Sequence, residues 1–170
     1  MNILTRFGAL LAAIVGLFGF HTGGEQAPPA GGVCPIESFC YSHSGSSTYD
    51  IYSYELLEDE ETGQMQVVYE LMCGYETYTL TADTELMREL TELVDNHSLR
   101  EWDGFHESDP LLMDGYGFSL YIGYTDGTTV FASGSNAYPD GYSEAAETID
   151  ELFMGYLKKN GMNPEGGYME

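Results

Sequence analysis

Tyr116-Gly-Phe-Ser-Leu-Tyr-Ile-Gly-Tyr124-Thr-Asp-Gly-Thr-Thr-Val-Phe-Ala-Ser133 is the stretch that decides the fold. Tyr116, Phe118, Leu120, Ile122 and Tyr124 alternate with small or polar residues, the period of two that marks a strand with one buried face. Asp126-Gly127 supplies hairpin turn chemistry, and residues 129–133 run back as the partner strand. The same period recurs upstream. Phe39, Tyr41 and His43 alternate with polar residues, and Tyr52, Tyr54 and Leu56 share one face. Met65, Val67, Tyr69 and Leu71 alternate against Gln64, Gln66, Val68 and Glu70, and residues 75–81 offer a fourth strand through Tyr78 and Leu80. Thr62-Gly63 makes the intervening turn, so the acidic run Glu58-Asp59-Glu60-Glu61 reads as a solvated hairpin tip.

Between these strands the period changes. Leu86, Leu90, Leu93 and Val94 recur at helical spacing behind Asp83, a good N-cap, while Arg88, Glu89, Glu92 and Asp95 face water. Asn96 and Ser98 end that helix, and residues 100–115 form a loop rich in turn residues. After the hairpin, Ser143 is the expected cap of a last helix with an apolar stripe of Ala146, Ile149, Leu152, Phe153, Tyr156 and Leu157. Lys158-Lys159 suit its C-terminal dipole and Asn160-Gly161 stop it. The order ββββ-α-ββ-α predicts an α+β domain over residues 36–160: an antiparallel β-sheet of about six strands with two helices packed on one face. Residues 161–170 read as a flexible tail.

The N-terminus carries a different message. Phe7 to Phe20 is an unbroken apolar run of 14 residues behind a single cation, Arg6, the layout of an export signal. No Ala-x-Ala follows it; the best small-residue pair is Thr22-x-Gly24. Counted from Ile3, the stretch reaches 18 residues, interrupted by Thr5 and Arg6, long enough for an uncleaved anchor with Arg6 snorkelling. Residues 1–22 are therefore an export signal or an N-terminal membrane anchor, and residues 23–35 a flexible Gly/Pro linker. The rest is expected outside the cytoplasm, secreted or membrane-anchored, touching membrane only through the N-terminal segment.

Charge narrows the partners. Beyond residue 32 the chain keeps four basic residues (Arg88, Arg100, Lys158 and Lys159) against 27 acidic ones. Such a field repels nucleic acid and anionic lipid and favours solubility, and it attracts cations, cationic peptides or a basic protein. Cys34, Cys40 and Cys73 allow three pairings of one disulfide, and with no C-x-x-C neither zinc nor thioredoxin chemistry is expected.

No catalytic constellation stands out. Ser133-Gly134-Ser135-Asn136 is a tight turn rather than a nucleophile elbow, which leads a parallel strand into a helix. His97, His106, Glu107 and Asp109 lack helical metal-ligand spacing, so neither metal nor cofactor is assigned. Asp103, Asp109 and Asp114 would be the ligands of any Ca²⁺ site, although no D-x-D-x-D-G loop is present. Carboxylates such as Glu101, Asp103 or Glu107 would serve a hydrolase, but nothing singles out a pair. The one Trp, Trp102, either stacks on a ligand beside Tyr116, Tyr121 or Tyr138, or plugs the core together with Phe105.

Four pieces then belong together: Ser42-x-Ser44-Gly45-Ser46, Trp102-Asp103-Gly104-Phe105, Met113-Asp114-Gly115-x-x-Phe118-Ser119-Leu120 and Ala132-Ser133-Gly134-Ser135-Asn136-Ala137-x-Pro139. In combination they resemble an uncharacterised domain of exported or envelope-associated proteins in gut Clostridia-like, Gram-positive bacteria, over about residues 36–157. The resemblance implies a single envelope domain and brings no catalytic residue with it. The expected function is non-catalytic binding of an envelope or extracellular protein, peptide or glycan. Its expected surface is Trp102, Asp103, Phe105 and Asp114 with Ser133, Ser135, Asn136 and Tyr138, which flank the strongest hairpin. The alternatives are a small hydrolase of wall glycan or peptide, and an acidic inhibitor of a cationic enzyme.

Overall fold

β6 (Gly117–Tyr124) and β7 (Thr129–Ser135) form the expected hairpin, with Leu120 opposite Ala132 and Ile122 opposite Val130. The Asp126 carboxylate closes its turn by accepting from the Thr128 amide at 2.9 Å and the Thr128 hydroxyl at 2.6 Å. This computed structural model of the chain describes residues 34–47, 50–71, 75–109, 111 and 115–164. The export signal or anchor, most of the linker, Cys73, Asp114 and residues 165–170 lie outside the described residues.

Among the described residues, seven strands make one sheet in the order β4-β3-β2-β1-β6-β7-β5. The remaining strands are β1 (Ile36–Ser44), β2 (Ile51–Glu58), β3 (Met65–Leu71), β4 (Glu76–Thr81) and β5 (His106–Ser108). The helices are α1 (Thr84–Asn96) and α2 (Tyr142–Lys159), with a 3₁₀ turn at Leu99–Trp102. The fold is α+β, and every pairing is antiparallel except that of β5 with β7.

β5 is the strand beyond the expected six. It falls in the loop of residues 100–115, is three residues long and fully exposed, and carries no alternation to read. A run of backbone bonds ties its segment to β7: Gly104 donates to the Phe131 carbonyl at 3.0 Å, Ser133 to Phe105 at 2.8 Å and Asp109 to Ser135 at 2.9 Å.

Both helices cover one sheet face, because the inward residues of β1, β2, β3 and β6 are mostly large and apolar. Phe153 of α2 stacks on Phe39 and Tyr54, with ring centres 5.6 and 4.9 Å apart. Each such buried side chain is worth about 1.5–3 kcal/mol of transfer free energy. Asp83 caps α1 as expected, its carboxylate accepting from the Leu86 amide at 2.8 Å. The Tyr156 hydroxyl ties the helices to β4, donating to the Thr81 carbonyl at 2.7 Å and accepting from the Asp83 amide at 3.1 Å.

The start of α2 differs from expectation. Gly141 occupies the cap position and Tyr142, not a residue after Ser143, opens the helix. Aromatic packing of the Tyr142 ring on Phe118 at 4.6 Å and Tyr138 at 4.5 Å holds that first turn in place of a hydroxyl cap. The buried stripe accordingly runs through Ala145, Ile149, Phe153, Tyr156 and Leu157, leaving Ala146 and Leu152 half-buried. Past α2 the chain folds back, Met162 donating to the Leu157 carbonyl at 3.0 Å and packing on the core.

The other sheet face carries Cys40 opposite Glu55 on one side and Tyr121 on the other, with Val68 next in line. Glu55 is 8% exposed and is the one buried charged residue among those described. Burial, and then the neighbouring Glu70 carboxylate, raise its pKa above the ordinary glutamate value. The Cys40 thiol is pushed up to about 12 by burial and by Glu55 and Glu70. Cys34 and Cys40 are both free thiols. Among the described residues no helix is long and apolar enough to cross a membrane.

Candidate functional site

At one end of the sheet the antiparallel register lines up three aromatic residues on the helix-covered face. His43, near the end of β1, sits opposite Tyr52 of β2 and Phe118 of β6. The His43 ring stacks on Tyr52 with centres 5.1 Å apart and lies 6.0 Å from Tyr116. Phe118 meets Tyr142 at the first turn of α2 and stacks on Tyr138 at 5.9 Å. The result is an aromatic rim at the N-terminal end of α2, drawn from three strands, two loops and one helix, its two ring clusters set side by side by the register of His43 with Phe118.

Polar bonds fix the rim from beneath. The Tyr41 and Tyr142 hydroxyls are 2.9 Å apart, and the Tyr52 hydroxyl donates to Asp150 Oδ2 at 2.8 Å. Asp50 Oδ1 lies 3.6 Å from His43 Nε2. Burial pushes the Tyr142 hydroxyl up to about 12, against the lowering effect of its bond to Tyr41. Tyr138 is raised by burial and then by Tyr116. The rings that open to solvent are Tyr116 and Tyr138, 48% and 40% exposed.

The sequence motifs build this end rather than lining it. Asn136 adopts a left-handed backbone (φ +53°), which asparagine tolerates better than most residues. Its amide donates to the Tyr116 carbonyl at 2.8 Å, and its side-chain oxygen accepts from the Tyr116 amide at 3.0 Å. A Cβ at Gly115 would run into the Asn136 side chain, and one at Gly134 into the Ala137 carbonyl and the Phe118 ring. Asp103 accepts from the Phe131 amide at 2.9 Å and so pins the 3₁₀ turn to β7.

Trp102 fills the plugging role: it is 5% exposed and edge-on to Phe118 at 6.0 Å. Phe105, half-buried, packs 6.2 Å from the same ring. The structure thus gathers Trp102, Phe105, Asn136 and Tyr138 at the rim, while Asp103 anchors its outer edge. Ser133 and Ser135 belong to the opposite sheet face, and Asp114 is outside the described residues. His43, Tyr52 and Tyr142 join the site without being singled out by any sequence motif. The available signal was that strand ends carry aromatic residues at inward positions, which only the strand pairing converts into one site.

One contact on the open face is chemical in kind. His106 Nδ1 lies 3.0 Å from Ser133 Oγ, and its ring rests 4.9 Å from Phe131. No carboxylate pairs with that imidazole among the described residues, so the third member of a triad is missing there. Glu101, Asp103 and Glu107 are all exposed. Asp109 spends its side chain on the Leu111 amide at 2.9 Å. Among the described residues no group of three His, Cys, Asp or Glu side chains is placed to hold a metal ion. The rim offers stacking and tyrosine hydrogen bonds, which is recognition chemistry. No protein-family model matches the chain, and no curated protein is similar enough to count as a relative.

Proposed function

We propose that this protein is a non-catalytic, extracytoplasmic binding domain of the cell envelope, and that the aromatic rim is its contact surface. The observation that carries the reading is the pair of half-exposed rings, Tyr116 and Tyr138, resting on the partly buried His43 and Tyr142 and the buried Phe118. Rings held in this way lose little side-chain entropy on binding and bury a large area, the features that make tyrosine a frequent interface anchor. The apolar N-terminal run and the resemblance to an envelope-associated domain support the setting. The partner class is an envelope or extracellular protein, peptide or glycan.

Capture from the envelope and culture medium of the producing organism tests this. The full chain is the bait, beside a Tyr116→Ser/Tyr138→Ser variant matched for circular dichroism. A partner retained by the parent and lost by the variant is the expected result. Equal retention by both would move the contact surface elsewhere.

A second reading, a small hydrolase of wall glycan or peptide, has the His106–Ser133 bond in its favour. A serine-directed fluorophosphonate that labels Ser133 in the parent but not in His106→Ala would establish it. Absence of labelling in both would retire it.

A further inference from the structure

The described cations are all gathered away from the rim. Arg88 pairs with Glu92 at 2.6 Å on α1, and Lys159, next to Lys158 at the end of α2, pairs with Glu85 at 2.8 Å. Arg100 lies 4.3 Å over the ring of Tyr124, the last residue of β6. Tyr124 is about 24 Å along that strand from its first residue, Gly117, at roughly 3.4 Å per residue. Tyr142 opens α2 at the rim, and Lys159 closes it about 26 Å away, at about 1.5 Å per residue. Solvent-facing acids border the rim instead: Asp50 beside His43, Asp140 just before α2 and Glu144 in its first turn. An exposed aromatic surface with acidic neighbours and no described Lys or Arg at hand is complementary to a cationic ligand.

We propose that the rim takes a basic peptide segment, a guanidinium lying on the exposed face of Tyr116 or Tyr138 with Asp50, Asp140 and Glu144 around it. This rests on the binding reading above and gives it a ligand class. The face of a tyrosine ring is electrostatically negative and attracts a cation within about 6 Å of its centre. A guanidinium is planar and more weakly hydrated than an ammonium, so it stacks at lower desolvation cost. The net charge of −23 draws such a segment in from a distance. A neutral glycan would use the rings alone and gain nothing from the acids.

Calorimetric titration of the full chain with a capped, alternating Arg-Gly peptide and its Lys-Gly twin, in about 0.15 M NaCl, is the test. Tyr116→Leu/Tyr138→Leu keeps the apolar packing but removes the ring faces. Asp50→Asn/Asp140→Asn removes two charges at the rim. Glu60→Gln/Glu61→Gln removes two at the hairpin tip beyond the far end of β2. The arginine peptide is expected to bind more tightly than the lysine twin. Its affinity should fall about tenfold or more, roughly 1.4 kcal/mol, in each rim variant and stay within about twofold in the tip variant. Equal loss in rim and tip variants, or no loss on removing the ring faces, would overturn the proposal in favour of diffuse charge attraction. No binding of either peptide would overturn the ligand class; a tyrosine-dependent partner in the capture experiment would then leave the binding reading standing.

Discussion

Gly134 shows how one residue shapes the site. Its missing side chain leaves room for the Ala137 carbonyl and for the Phe118 ring, on which Tyr138 and Tyr142 rest. Gly134→Ala should cost about 2–3 kcal/mol, in the range of an overpacked core, read as a lower urea midpoint. Glu55 acts in the other direction. Its folded-state pKa is raised, so the native state binds its proton more tightly than the unfolded chain does. That contribution is fully present below the ordinary value of about 4.5 and is lost as pH rises through the raised folded value. Urea midpoints should therefore be higher at mildly acidic than at neutral pH. Glu55→Gln should flatten that dependence, because the amide is uncharged throughout.

At the scale of elements, α1 was legible because its cap and its stripe are both local. Asp83→Ala removes the bond to the Leu86 amide and should cost about 1 kcal/mol, again read by urea unfolding. The long strands were equally legible, since each carries a period of two against one core. β5 was not: three exposed residues held by backbone bonds leave no trace in side-chain pattern. The first turn of α2 departs from its local signal for a related reason. Ser143 satisfies the local capping rule, but packing of Tyr142 on Phe118 and Tyr138 is tertiary and decides the boundary. The site follows the same division. Tyr138 and Asn136 stood out within a turn motif, whereas His43 and Tyr52 joined them only through the register of β1 with its two neighbours.

At the scale of the whole molecule, charge is the dominant long-range feature. A net charge of −23 repels itself in the compact state. Raising NaCl from about 0.01 to about 0.5 M shortens the screening length several-fold and should raise the thermal midpoint of unfolding. A midpoint that is unchanged or lower would show that local ion pairs outweigh the global repulsion. On the proposed basic-peptide reading, the same charge, with the described Lys and Arg residues collected away from the aromatic rim, draws a cationic segment toward that end. Site-specific photo-crosslinking in the producing cells reads directly whether a partner meets the rim. A benzophenone amino acid would replace Tyr138 at the rim, and in a second strain Thr79, exposed on edge strand β4. A discrete adduct is expected from position 138 and none from position 79. An adduct from position 79 alone would contradict contact at the rim.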